Sequence, residues 1–112
     1  MRKNISIFTV DWAHCDAAGI VFYPHFYTWF DQATERLFRQ NGLSYSVLRE
    51  RYNLFGLPLV ETGAKYINAC RHGDEIELQS WVEKWDKKTL LMHHSILNKN
   101  GIEALFGFER RV

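Results

Sequence analysis

Phe22-Tyr23-Pro24-His25-Phe26-Tyr27-Thr28-Trp29-Phe30-Asp31-Gln32-Ala33-Thr34-Glu35-Arg36-Leu37-Phe38-Arg39-Gln40-Asn41-Gly42 is the stretch on which the fold turns. Within it Phe22, Phe26, Phe30, Ala33 and Leu37 recur at three- and four-residue steps, while Asp31, Gln32, Glu35, Arg36 and Arg39 fill the other face. Pro24 suits a first helical turn, where its missing N–H costs nothing, and Asn41-Gly42 supplies the residues that end one. One long amphipathic helix is therefore expected, and its apolar stripe needs a partner layer.

The flanking sequence supplies that layer. Before the helix, Ile5, Ile7, Phe8, Val10 and Trp12 mostly alternate with Ser6, Thr9 and Asp11, which reads as a half-buried strand over residues 5–12. Residues 13–19, Ala-His-Cys-Asp-Ala-Ala-Gly, are small and polar and read as a loop. After the helix, Ser44 offers a cap for a shorter helix running toward Arg51, although these residues also allow an irregular segment. Four β-rich segments follow, at 57–69, 74–85, 89–98 and 102–112, and the short turns between the last three predict an antiparallel meander. The class is α+β: one dominant helix across a curved antiparallel sheet. In segment 74–85, Ile76, Leu78, Ser80 and Val82 point to the helix side. Glu75, Glu77, Gln79, Trp81, Glu83 and Trp85 point away, a mixture that suits a face covered by another chain or a ligand, or aromatics lying flat among charged side chains on an open sheet.

Composition excludes several classes of function. The 112 residues, 46% hydrophobic and 24% charged, are of single-domain size. Fourteen Lys and Arg against thirteen Asp and Glu leave a formal net charge of +1, too weak a field to gather nucleic acid or an anionic membrane. Two cysteines, Cys15 and Cys70, imply no disulfide framework, and with no export or membrane-spanning segment the expected location is cytoplasmic. His93 and His94 are neighbours on a strand, point to opposite faces and cannot share a metal; no metal and no cofactor are expected.

Asp11-Trp12-Ala13-His14-Cys15-Asp16-Ala17-Ala18-Gly19-Ile20-Val21-Phe22-Tyr23-Pro24-His25-Phe26-Tyr27, followed by Trp29-Phe30-Asp31, resembles the opening motif of the hot-dog-fold acyl-CoA thioesterases. The likeness is greatest to the 4-hydroxybenzoyl-CoA thioesterase family, and it extends to Gly56-Leu57-Pro58-Leu59-Val60, Glu83-Lys84-Trp85 and the closing strand from Phe106. It implies an antiparallel sheet wrapped around one central helix, an acyl-CoA substrate, and a homodimer or homotetramer in which sheets join and each site lies at the junction. Tyr23 stands where the related Tol-Pal-associated thioesterases carry His. Relatives in this family run a few tens of residues longer, so the single domain spanning 1–112 is expected to lack the end of its last strand.

Thioester cleavage needs a carboxylate to attack the carbonyl or to activate water, and donors for the developing oxyanion. Asp16 lies in a Gly19-containing loop just before the helix, whose first-turn N–H groups lack internal acceptors and whose dipole favours negative charge. The resemblance implies that Asp16 is the catalytic carboxylate and that the amide of Tyr23 polarises the carbonyl. It further implies an acyl pocket near Phe22, Phe26, Asp31, Pro58 and Leu59, with Asp31 placed to accept a hydrogen bond from a phenolic acyl group. Residue types alone also allow Phe22, Phe26 and Trp29 as core and Asp31 as a solvated helix acid. Lys87, Lys88 and Thr89 match the turn that contacts coenzyme A phosphates. Two residues depart from the family pattern: Leu57 replaces a hydroxyl-bearing residue, and Asp86 replaces an Arg, for which weaker nucleotide binding is expected. The alternatives to a hydrolase are a non-catalytic acyl-CoA-binding module and an enoyl-thioester hydratase, though the chain lacks the latter's Asn-Pro-hydrophobic-His run.

Overall fold

A computed structural model describes residues 2–112. The chain runs β1 (Asn4–Thr9), a 3-10 turn (Trp12–His14), α1 (Pro24–Gln40), α2 (Tyr45–Tyr52), β2 (Leu59–Tyr66), β3 (Glu75–Trp85), β4 (Leu90–Leu97) and β5 (Glu103–Arg111). All five strands join one antiparallel sheet in the order β1-β3-β4-β5-β2, so the expected meander forms its middle and β1 and β2 its edges.

α1 begins with Pro24 in its first turn and stops at Gly42, which takes φ +75°. There Gly42 N–H donates to the Arg39 carbonyl and Leu43 N–H to that of Phe38, satisfying carbonyls that the helix leaves open. Ser44 caps α2 by accepting from Val47 N–H. The inner stripe of α1, with Phe26, Trp29, Phe30, Ala33, Leu37 and Phe38 all buried, lies on Ile76, Leu78, Leu90, Met92, Ile96 and Leu105 of the sheet. Each large side chain removed from water here contributes about 1.5–3 kcal/mol.

Two expectations need correction. The first strand ends at Thr9, because the Asp11 N–H donates to Nδ1 of His14 and closes the 3-10 turn, leaving Trp12 exposed beside His72. In β3 a register shift between Val82 and Lys84 turns the strand over, so Trp85 meets Phe38 of α1 instead of pointing away from it. The rest of that outer face follows the alternation: Trp81 lies edge-on to His93, which in turn meets Phe106, and the Trp81 indole N–H donates to Glu83.

Beneath α1 the core contains a buried polar chain. Ser80 donates to Nδ1 of His94, whose Nε2–H donates to Glu109 at 2.9 Å; Thr34 donates to the same carboxylate, and Arg111 Nη2 reaches its other oxygen at 2.6 Å. Burial alone would push the Glu109 carboxyl up, but these donors win and hold it at about 2. Burial holds the His94 imidazole below its ordinary value, consistent with a neutral ring lying flat against Phe30 at 4.5 Å. Gly107, opposite His94 on β5, makes room for that stack, since a Cβ there would come within 2.5 Å of the Phe30 ring.

Candidate active site

The segment before α1 folds into a tight hairpin with Asp16 at its tip. Asp16 N–H donates to the Ile20 carbonyl, Gly19 N–H donates to that of Asp16, and Gly19 takes φ +76°, a conformation a side chain would strain. The hairpin is tied down on both sides. Phe22 N–H donates to His14 and Val21 N–H to Cys70, while His72 N–H donates to Gly19. The Asp16 carboxylate is exposed, and its Oδ1 accepts from Ala18 N–H at 2.8 Å.

Asp16 faces a cleft of about 480 Å³ formed with Phe22, Tyr23, Phe26, Tyr66 and the segment 67–70. Tyr23 is the residue before the first turn of α1, and Pro24 has no N–H to offer. His25 and Phe26 N–H groups turn back to the carbonyls of Phe22 and Tyr23, whereas the Tyr23 N–H has no acceptor within the chain among the described residues. A free amide at the positive end of a 17-residue helix, beside an exposed carboxylate and an apolar wall, is an arrangement that can hold a polarised carbonyl next to an attacking or base-acting group. Phe22 lies outside the helix, 48% exposed, and lines the cleft; Phe26 lines it while also packed in the core, and Trp29 is buried core.

The other sequence-derived residues gather at the opposite end of the sheet. Leu59 and Leu90 both pair with Arg111, which places Pro58-Leu59 and the β3–β4 hairpin tip, Lys87-Lys88-Thr89, at the same end of the sheet on either side of β5. Tyr66, at the cleft, pairs with Leu105 at the far end of the same strands. Asp31 belongs to the Leu59 end. Its carboxylate is 66% exposed but ion-paired at 2.8 Å to the buried guanidinium of Arg111, so it is not a freely solvated helix acid. Glu109 and Arg111, which fix this end, were not singled out from the sequence. The signal available was their alternation with Phe106 and Phe108, and it points the wrong way.

Residues 10–108 match the thioesterase-like superfamily. The chain belongs to this superfamily. The 4-hydroxybenzoyl-CoA thioesterase of Pseudomonas sp. strain CBS-3 is 27% identical over 89 residues, 78% of this chain and 62% of that protein, so the match spans about three fifths of the relative's length. The solved structure of a gentisyl-coenzyme A thioesterase superposes with a TM-score of 0.86 and 28% identity, covering 96% of this chain and 85% of the other. That of the Pseudomonas sp. strain CBS-3 enzyme superposes with a TM-score of 0.90, covering all of this chain and 84% of the other; at 24% identity it shows the shared fold. The architecture is thus the hot-dog fold of the superfamily.

Proposed function

We propose that the chain hydrolyses acyl-CoA thioesters to a carboxylic acid and coenzyme A, with Asp16 as nucleophile or general base. The observation that carries this reading is the pairing of the exposed Asp16 carboxylate with the acceptor-free Tyr23 amide across one apolar cleft. The amide donates to the thioester oxygen and, with the helix dipole, stabilises the charge that develops as the tetrahedral intermediate forms. Asp16 either attacks the carbonyl carbon and expels the thiolate of coenzyme A, leaving an acyl–Asp16 anhydride that water then hydrolyses to the acid and the free carboxylate, or removes a proton from a water that attacks the same carbon, so that the tetrahedral intermediate collapses directly to the acid and the coenzyme A thiol. Phe22 and Phe26 shape the near side of the acyl pocket, and Gly19 forms the turn that presents Asp16 to it.

Pro58, Leu59, Asp31 and the Lys87-Lys88-Thr89 turn serve the same reaction from a second copy of the chain. β2 is a sheet edge, and Leu59, Val60 and Tyr66 on it are exposed apolar residues. Antiparallel pairing of two such edges sets the Leu59 end of one chain against the Tyr66 end of the other, which completes two sites at once. In that homodimer the Lys87-Lys88-Thr89 turn meets the coenzyme A phosphates.

Release of free thiol from benzoyl-, hydroxybenzoyl- and short aliphatic acyl-CoA tests the reaction class. Hydrolysis of at least one of these is expected, with no addition of water to crotonyl-CoA. Binding of all of them without turnover would make the chain an acyl-CoA-binding module instead.

A further inference from the structure

We propose that the groove between α1 and the edge strand β1 is a second binding site, separate from the Asp16 cleft, for a small carboxylate with an apolar body. Arg36, Gln32 and Ser6 take the charged group, and Phe8, Trp29 and Leu78 take the body.

The groove encloses about 420 Å³, within the range of small-molecule sites, and shares no lining residue with the cleft at Asp16. Its shape follows from the fold. β1 pairs on one side only, with β3, so no further strand closes the space beside it. Trp29 and Leu78 are buried, and Phe8 stands edge-on to Trp29 with ring centroids 4.8 Å apart, so the floor is apolar and rigid. Gln32 and Arg36, one turn apart on α1, form one wall, and Ser6 forms the other.

The polar groups at this groove are donors without acceptors. Arg36 is half-buried, yet its guanidinium makes one contact in the chain, from Nη1 to Ser6 Oγ at 3.5 Å, and among the described residues it has no carboxylate within ion-pair distance. Glu35 turns to Arg39 at 3.2 Å, and neither β1 nor the lining of the groove carries an acid. Ser6 Oγ accepts from Asn4 Nδ2 at 3.3 Å as well as from Arg36, which leaves its own proton uncommitted. A methylene stem laid over apolar surface would account for the position of the Arg36 side chain but not for these unused donors. A carboxylate accepts two parallel N–H bonds from one guanidinium and further bonds from the Ser6 hydroxyl and the Gln32 amide. A bare inorganic anion would leave the aromatic floor uncovered, and a neutral apolar molecule would leave the donors unpaired.

The test titrates the 15N-labelled protein with phenylacetate, with its uncharged isostere phenylacetamide, and with inorganic phosphate, following backbone amide shifts. Phenylacetate is expected to bind with a Kd of about 1 mM, moving Ser6, Phe8, Gln32 and Arg36, and to bind at least tenfold more tightly than either of the others. Arg36→Gln should weaken phenylacetate about tenfold while leaving phenylacetamide within twofold, and Ser6→Ala, a second variant that leaves α1 untouched, should weaken phenylacetate severalfold. Shifts confined to residues 16–23 and 66–70, phosphate bound as tightly as phenylacetate, or full affinity in a folded Arg36→Gln protein would each overturn the proposal. The site does not rest on the hydrolase reading, and binding here without turnover of any thioester would leave it standing.

Discussion

The Glu109 carboxylate is a single residue whose buried donors tie the stability of the chain to pH. Its folded-state value of about 2, against 4.5 for the free group, means the unfolded chain takes up the proton first as pH falls. Stability is therefore fully present above about 4.5 and is lost from there down to 2, a difference of about 3 kcal/mol. His94 acts in the same direction at higher pH: its value is lowered on folding, so the unfolded state is favoured as pH drops below 6.5. Denaturant titrations should show stability falling as pH drops below 6.5 and falling further below 4.5, and a Glu109→Gln/Arg111→Met variant should lack the part of the loss that begins near 4.5; an unchanged loss in that range would contradict the assignment. None of this is legible in the residue alternation of the last strand. Phe106 and Phe108 look like its inner face, yet they lie half-exposed on the outside while Gly107, Glu109 and Arg111 turn inward. Three donors make an inward acid tolerable, and those donors come from 15 and more residues away or from the next inward position. Asp16 is legible for the opposite reason, since its loop, its glycine and its helix are contiguous in sequence.

At the scale of elements, the seating of α1 on the sheet depends on one missing side chain. Phe30 lies flat on His94 only because Gly107 presents no Cβ, and an added one would also approach the Gly63 carbonyl at 3.1 Å. Gly107→Ala should lift the helix or twist Phe30 from its rotamer, costing about 1–3 kcal/mol in chemical denaturation. A neutral result would mean that the helix has room to shift. The helix itself was plain from its period, its proline and its Asn-Gly stop, all local signals. The ends of β1 and β3 were not. Asp11 and His14 divert the chain through a backbone-to-side-chain hydrogen bond that competes with the strand, and the shift after Val82 is visible only once β4 is paired beside it.

The candidate site residues lie at two ends of one sheet, and the proposal of a two-chain thioesterase rests on that division. A charge placed on the open edge should separate the copies: Val60→Lys is expected to sediment as a monomer and to lose turnover although Asp16 and Tyr23 are untouched. An active monomer would refute the shared site. The superfamily and the fold emerged from the sequence because the motif from Asp11 to Asp31 and the meander agree, whereas the separation of the two residue groups needed the strand register. The most direct test of the account is steady-state release of coenzyme A by the wild type and by Asp16→Asn, using whichever acyl-CoA is turned over best. A fall in kcat of about 10²- to 10⁴-fold, with KM changed only a few-fold, is the expected result. An Asp16→Asn protein that keeps its kcat within tenfold of the wild type would show that the carboxylate at the tip of the hairpin does not perform the chemistry.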